Sequence, residues 1–112
     1  MIFVEIARDE KGRIEFFKCE GHAGFKKHPD EKDMVCAAVS AIVYGALGYM
    51  DEYYKLRDFT EKDGFIEWIR PVGIGENIIN SISPVLDAME VGLKQIEMQY
   101  GKNIKVTDKA NR

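Results

Sequence analysis

Asp33-Met34-Val35-Cys36-Ala37-Ala38-Val39-Ser40 opens a long apolar stretch that continues through Ala41-Ile42-Val43-Tyr44-Gly45-Ala46-Leu47-Gly48-Tyr49-Met50. Asp33 has the chemistry of a helix N-cap, a short side-chain oxygen able to accept a free N–H of the first turn. The residues behind it predict a helix over 33–54 that is apolar on most of its faces. Such helices are buried ones, so this one is expected between a sheet and a second packing element. Ala37, Ala38, Ala41, Gly45 and Gly48 would let that element approach closely. The apolar run over 34–50 is interrupted by Ser40, Tyr44, Gly45 and Gly48 and is short for a membrane span, so no membrane association is expected.

Upstream, Ile2, Val4 and Ile6 alternate with Phe3 and Glu5, the period of a half-buried strand. Asp9-Glu10-Lys11-Gly12 is a turn signal, and a second strand begins at Ile14, Phe16 and Phe17 and runs to about Glu20, completing a hairpin. Residues 21–32 read as a loop whose length is at the upper end of what compact domains use without a functional reason. Downstream, a strand over 56–60, a turn at Glu61-Lys62-Asp63-Gly64 and a strand over 65–70 containing Trp68 form a second hairpin. Ile78, Ile82, Val85, Met89, Leu93, Ile96 and Tyr100 recur at steps of three and four, predicting a helix over 76–100 that stops at Gly101. Pro84 inside it removes a helix hydrogen bond and predicts a kink or a split. Residues 104–107 add a short strand, followed by a frayed tail. The expectation is an α+β fold of order β-β-α-β-β-α, an antiparallel sheet from two β-hairpins with both helices packed on it. Residues 1–112 are read as a single domain.

Apolar residues are 46% and charged residues 31% of the 112, ordinary globular usage. Two cysteines are too few for a disulfide scaffold, and no apolar leader precedes the first strand, so a reduced cytoplasm is expected. The net charge is −3, and the one basic pair near the loop, Lys26-Lys27, is followed by Asp30, Glu31 and Asp33. Nucleic-acid binders draw much of their affinity from neutralising phosphate, so direct nucleic-acid binding is disfavoured. A basic polypeptide suits this surface better.

The chemistry concentrates on Cys36 and His22. Cys36 falls in the first helical turn, where unpaired N–H groups and the positive end of the dipole favour a thiolate, the reactive form of cysteine. His22 ends the preceding strand beside Gly21 and near Gly24, placed to act as the base. Backbone N–H groups at the helix start would hold the oxyanion. Asp33 caps the helix, orients the imidazole, or does both. The plainer alternatives are a small buried hydrophobe at Cys36 and a solvated histidine at 22. Ser40, one turn beyond Cys36, lines the site or is a small packing residue. Trp68, Phe16 and Phe17 read as core or dimer-contact residues. Cys19, His22, His28 and Cys36 are the right ligand types for tetrahedral zinc, but their spacing lacks a compact second pair. A Cys19–Cys36 disulfide does not suit a cytosolic chain, and Cys19 is read as a strand residue without chemistry.

On Gly21-His22-Ala23 and Asp33-Met34-Val35-Cys36-Ala37-Ala38-Val39-Ser40-Ala41, the chain resembles the ribosomal-processing cysteine protease family, Prp. The resemblance implies a cysteine endopeptidase that removes the N-terminal extension of one large-subunit ribosomal protein, number twenty-seven in the standard naming, cutting after an aromatic residue and before a small one. It implies catalytic roles for His22 and Cys36, and supporting or substrate-binding roles for Asp33, Ser40 and Gly21. It further implies a homodimer, a ribosomal-protein precursor as peptide substrate, and no cofactor or metal. The readings from other classes are a non-catalytic ribosome-associated binding module and a zinc-stabilised domain.

Overall fold

A computed structural model describes residues 1–109. The chain runs β1 (Ile2–Arg8), β2 (Ile14–Gly21), α1 (Met34–Tyr54), β3 (Thr60–Lys62), β4 (Phe65–Ile69), α2 (Glu76–Tyr100) and β5 (Ile104–Lys109). The α+β expectation holds, and the first hairpin and both helices form where their periodicity placed them, while the second hairpin forms with its first strand displaced. One part of the sheet differs. β5 lies beside β1 and runs parallel to it, so the five-stranded sheet, ordered β3-β4-β2-β1-β5, is mixed rather than purely antiparallel. A hairpin forces neighbouring strands to run antiparallel, whereas α2 carries the chain back along the sheet before β5 and leaves the parallel sense open. β5 also continues two residues past the expected Thr107, through Asp108 and Lys109. The frayed tail falls on residues 110–112, outside the described residues.

The alternation read in β1 is real: Ile2, Val4 and Ile6 are buried, joined from β2 by Ile14, Phe17 and Cys19 and from β4 by Trp68. Phe17 and Trp68 stack with ring centroids 5.8 Å apart, which settles both as core, while Phe16 is only partly buried. α2 adds Ile79, Ile82, Leu86, Met89 and Leu93 and continues unbroken through Pro84, so the expected split does not occur.

α1 corrects the expectation of burial on most faces. Val35, Val39, Val43, Ala46, Leu47 and Met50 form one buried stripe. Ala37, Ala41, Gly45 and Gly48 face solvent, and a Cβ at either glycine would meet nothing within 4 Å. The close approach between the helices comes instead at Gly92 of α2, where a Cβ would lie 3.1 Å from Ile42 Cδ1. By length and composition alone the 21-residue α1 would suffice to cross a membrane; here its apolar stripe is in the protein core. The strand expected over 56–60 is the other correction, since β3 is Thr60–Lys62. Lys55 adopts a left-handed conformation (φ 57°), and Lys55 and Leu56 close the helix by donating to the Asp51 and Met50 carbonyls. Leu56 and Phe59 both pack against the core, and a three-residue spacing cannot put both on one face of a strand.

A charged cluster ties α2 to the sheet. The Arg8 guanidinium, at the end of β1, pairs with Glu90 (2.5 Å), Asp108 (2.9 Å) and Asp87 (3.0 Å), and Lys94 adds a second cation 2.8 Å from Glu90. Glu90 is only 3% exposed. Replacing Arg8 by Met leaves a buried carboxylate short of its main partner, and the expected loss in denaturant unfolding is about 3–5 kcal/mol; a change below about 1 kcal/mol would show the cluster to be peripheral. Acid should weaken the fold in a defined window. Burial raises the Asp9 carboxyl, but donation from the Arg13 N–H, Arg70, the Lys11 N–H and the Arg13 side chain outweighs it and sets it at about 2. A carboxyl held low in the fold binds its proton more readily once unfolded, so its contribution is complete near neutrality and fades as pH falls from about 4 towards 2. Asp9→Asn should flatten that acid slope in melts recorded against pH.

Candidate active site

Three segments converge on one cleft of about 260 Å³: the end of β2 with Gly21 and His22, the first turns of α1 with Cys36, Val39, Ser40 and Tyr44, and the β3–β4 hairpin from Lys62 to Ile66. Cys36, Ser40 and Tyr44 are four residues apart and so share a helix face. Both candidate catalytic residues therefore line the same space. Ser40 is exposed on its wall, which favours the lining role over the packing one.

Asp33 is the N-cap (φ −81°, ψ 113°), and both its oxygens are engaged. Oδ1 accepts from the Val35 N–H (3.0 Å) and the Cys36 N–H (3.1 Å), while Oδ2 accepts from the Phe25 N–H (2.8 Å) and the Lys26 N–H (3.3 Å). Burial raises this carboxyl, but the four N–H donors outweigh it and hold it below the ordinary carboxylate range. Of the two roles considered for Asp33, capping is the one its contacts fill. The Ala37 N–H is also taken, by the Asp33 carbonyl at 3.0 Å. The N–H groups of Val35, Cys36 and Ala37 are thus already bonded, so these three are not free for the oxyanion role expected of the helix start.

The donor aimed at the sulfur comes from the loop instead. The Ala23 N–H donates to Cys36 Sγ at 3.3 Å. Ala23 is 2% exposed, and its carbonyl accepts from Asn103 Nδ2 at 2.9 Å. Asn103, in the turn between α2 and β5, is itself held by the Ile2 N–H donating to its carbonyl (2.8 Å) and by its own N–H donating to the Tyr100 carbonyl (2.7 Å). Two residues further on, the loop rests on α2, where Phe25 meets Tyr100 edge to face at 5.3 Å.

His22 lies over the β3–β4 turn with its side chain 64% exposed, and Nε2 is 3.7 Å from Asp63 Oδ2. Gly64 makes that seat possible. Its φ is +68°, and a Cβ there would come within 2.8 Å of His22 Nε2. Gly21 serves a related purpose with φ +107°, since a Cβ would sit 2.3 Å from the Met1 carbonyl oxygen. The Gly21 N–H donates to the Gly64 carbonyl at 2.8 Å, joining the strand end to the turn. Both cysteines are free, and burial pushes the Cys19 thiol up to about 12, leaving it inert at neutral pH. His28 lies outside the cleft lining, and no three His, Cys, Asp or Glu side chains among the described residues are grouped to hold a metal.

Tyr44, Asp63, Gly64 and Asn103 belong to this site and were not singled out from sequence. Tyr44 extends the Cys36–Ser40 spacing by one further turn, a signal that was available. Its hydroxyl donates to Glu61, and that bond with burial pushes it up to about 12. Asp63-Gly64 was readable as a turn, but not as the seat of His22.

The chain and its fold have close counterparts. A Bacillus subtilis ribosomal processing cysteine protease Prp is 31% identical over 110 residues, covering 96% of each chain. The Staphylococcus aureus ribosomal processing protease Prp, solved with a covalently linked product peptide, superposes with a TM-score of 0.80 at 28% identity, over 97% of this chain and 100% of that one. The same protease with a substrate peptide gives 0.78 at 28% identity and the same coverage. The family model for cysteine protease Prp matches residues 1–105. This chain, with a free thiol and a histidine facing one cleft, therefore belongs to the Prp family of ribosomal-processing cysteine proteases, hydrolases of peptide bonds.

Proposed function

We propose that the chain removes the N-terminal extension of the large-subunit ribosomal protein numbered twenty-seven, using Cys36 as nucleophile and His22 as base. The observation that carries this reading is the shared cleft, lined both by a half-buried thiol with an N–H donor on its sulfur and by a histidine. His22 takes the thiol proton and Cys36 Sγ attacks the scissile carbonyl, giving a thioester once the amine leaves with the proton returned by His22. Water then releases the acyl group by the same base. The covalently linked product peptide in the Staphylococcus aureus relative supports a covalent route. Gly21 and Asp33 act as supports, by the close passage of β1 and by the helix cap, and Ser40 and Tyr44 line the substrate's path.

The same reading carries a single protease domain over 1–112, a cytoplasmic location, a homodimer, and a peptide rather than a nucleic-acid partner. Two free cysteines and a net charge of −3 support the location and the partner. The open face of Ala37, Ala41, Gly45 and Gly48 supports the dimer, because a second copy could approach it without side chains in the way.

Cys36→Ala should abolish cleavage of a peptide spanning the extension junction while leaving the melting temperature unchanged, and full activity in that variant would refute the nucleophile. Gly64→Ala should lower kcat about tenfold or more by displacing the imidazole. Gly73→Ala is its control, with a similar backbone conformation (φ +88°) and nothing within 4 Å of the added Cβ. Equal effects of the two would mean that backbone strain alone, and not the seat of His22, governs turnover.

A further inference from the structure

We propose that the oxyanion donor of this enzyme is the Ala23 backbone N–H, and that Asn103 is the residue that positions it. The inference rests on the reading of Cys36 as nucleophile and adds the group that stabilises its transition state. A cysteine at a helix start ordinarily has the local first-turn N–H groups to offer a developing negative charge. Here Asp33 has taken those of Val35 and Cys36 with its side chain and that of Ala37 with its carbonyl. An N–H already bonded to a carboxylate gains little by turning to an alkoxide.

The Ala23 N–H is placed differently. It reaches the sulfur itself at 3.3 Å, from the residue that follows His22 in the chain. When Sγ attacks, a sulfur–carbon bond forms and the carbonyl π pair moves onto oxygen, so the negative charge passes from sulfur to an atom two bonds away. A donor that holds the thiolate can follow the charge onto that oxygen without transferring its proton. Collapse then restores the carbonyl, expels the amine with the proton from His22, and returns the N–H to its starting direction. Such a donor is effective only if its direction is fixed in advance.

Asn103 supplies that fixation. Its Nδ2 holds the Ala23 carbonyl at 2.9 Å, while its own backbone is bonded to Ile2 of β1 and to Tyr100 at the end of α2. The buried Ala23 methyl closes the remaining freedom of the residue. Asn103 thus acts on the reacting atoms through Ala23 and does not touch substrate. Its position in the turn that leads into the parallel strand β5 gives that strand a catalytic consequence.

The decisive experiment removes one N–H. Cys19 and Cys36 are both usable as ligation points, so the chain can be assembled from segments 1–18, 19–35 and 36–112 with lactate replacing Ala23, which exchanges the amide N–H for an ester oxygen. Turnover of the junction peptide should fall about 10²–10³-fold, the loss typical of one oxyanion donor, with KM within about threefold of the all-amide enzyme. Glycolate replacing Gly24 removes the neighbouring N–H and, by making the Ala23 carbonyl an ester carbonyl, weakens without removing its bond from Asn103, so turnover should fall by about tenfold or less. An unchanged kcat in the first ester, or equal losses in the two, overturns the assignment. Asn103→Asp, which exchanges the donor for a carboxylate against the Ala23 carbonyl, should lower kcat about tenfold or more at unchanged KM; an unchanged kcat removes Asn103 from the proposal. Should Cys36→Ala still cleave, the nucleophile itself is wrong; a dead Cys36→Ala beside a fully active residue-23 ester defeats only the oxyanion assignment.

Discussion

The Asp33 carboxylate holds two pieces of chain that otherwise have little reason to meet. One oxygen closes the first turn of α1, the other gathers the Phe25 and Lys26 N–H groups from the loop that leaves β2. An extended loop loses conformational entropy when ordered, and charge-assisted bonds to backbone N–H are among the stronger means of offsetting that loss. The consequence for chemistry is indirect. By occupying the Val35, Cys36 and Ala37 N–H groups, Asp33 leaves the sulfur of Cys36 to the Ala23 N–H, from the chain just past β2. The same bonds keep its own carboxyl ionised well below neutral pH.

Around that tie, each wall of the cleft comes from a different kind of local order. Helical periodicity alone puts Cys36, Ser40 and Tyr44 in line. The hairpin wall depends on Gly64, whose positive φ and missing Cβ leave room for the imidazole. The floor depends on Gly21, where β2 passes so close to the Met1 carbonyl that no side chain fits. The sheet then joins these walls to α2, because Arg8 pairs with carboxylates from α2 and β5 together. Holding α2 and β5 in register holds the turn between them, and that turn carries Asn103.

Much of this was legible in the chain itself. The α2 bounds, the Asp33 cap and the β1 alternation all follow from local pattern, because each depends on residues a few positions apart. The parallel β5 was not legible as such. Nothing within 104–109 says which strand it will join, and its partner β1 is about a hundred residues away. The exposed small-residue face of α1 misled for a related reason: apolar composition marks a face able to be buried, not what buries it. Asp63 as the acidic neighbour of His22 and Asn103 as the clamp on Ala23 are contacts of long sequence separation between polar residues, for which one sequence offers no periodicity to read. A cap that satisfies the Val35, Cys36 and Ala37 N–H groups also withdraws them from an oxyanion, a consequence the local pattern did not show.

The account stands on a covalent intermediate at Cys36. Acid-quenching the enzyme within milliseconds of mixing with a peptide spanning the extension junction, followed by proteolysis and mass spectrometry, reads that intermediate directly. The account predicts the extension fragment joined as a thioester to the segment containing Cys36, with Cys19 unmodified. Efficient cleavage with the acyl group on Cys19, or with Cys36 unmodified under quench conditions that preserve a reference thioester and after an observed burst of amine product, would contradict it.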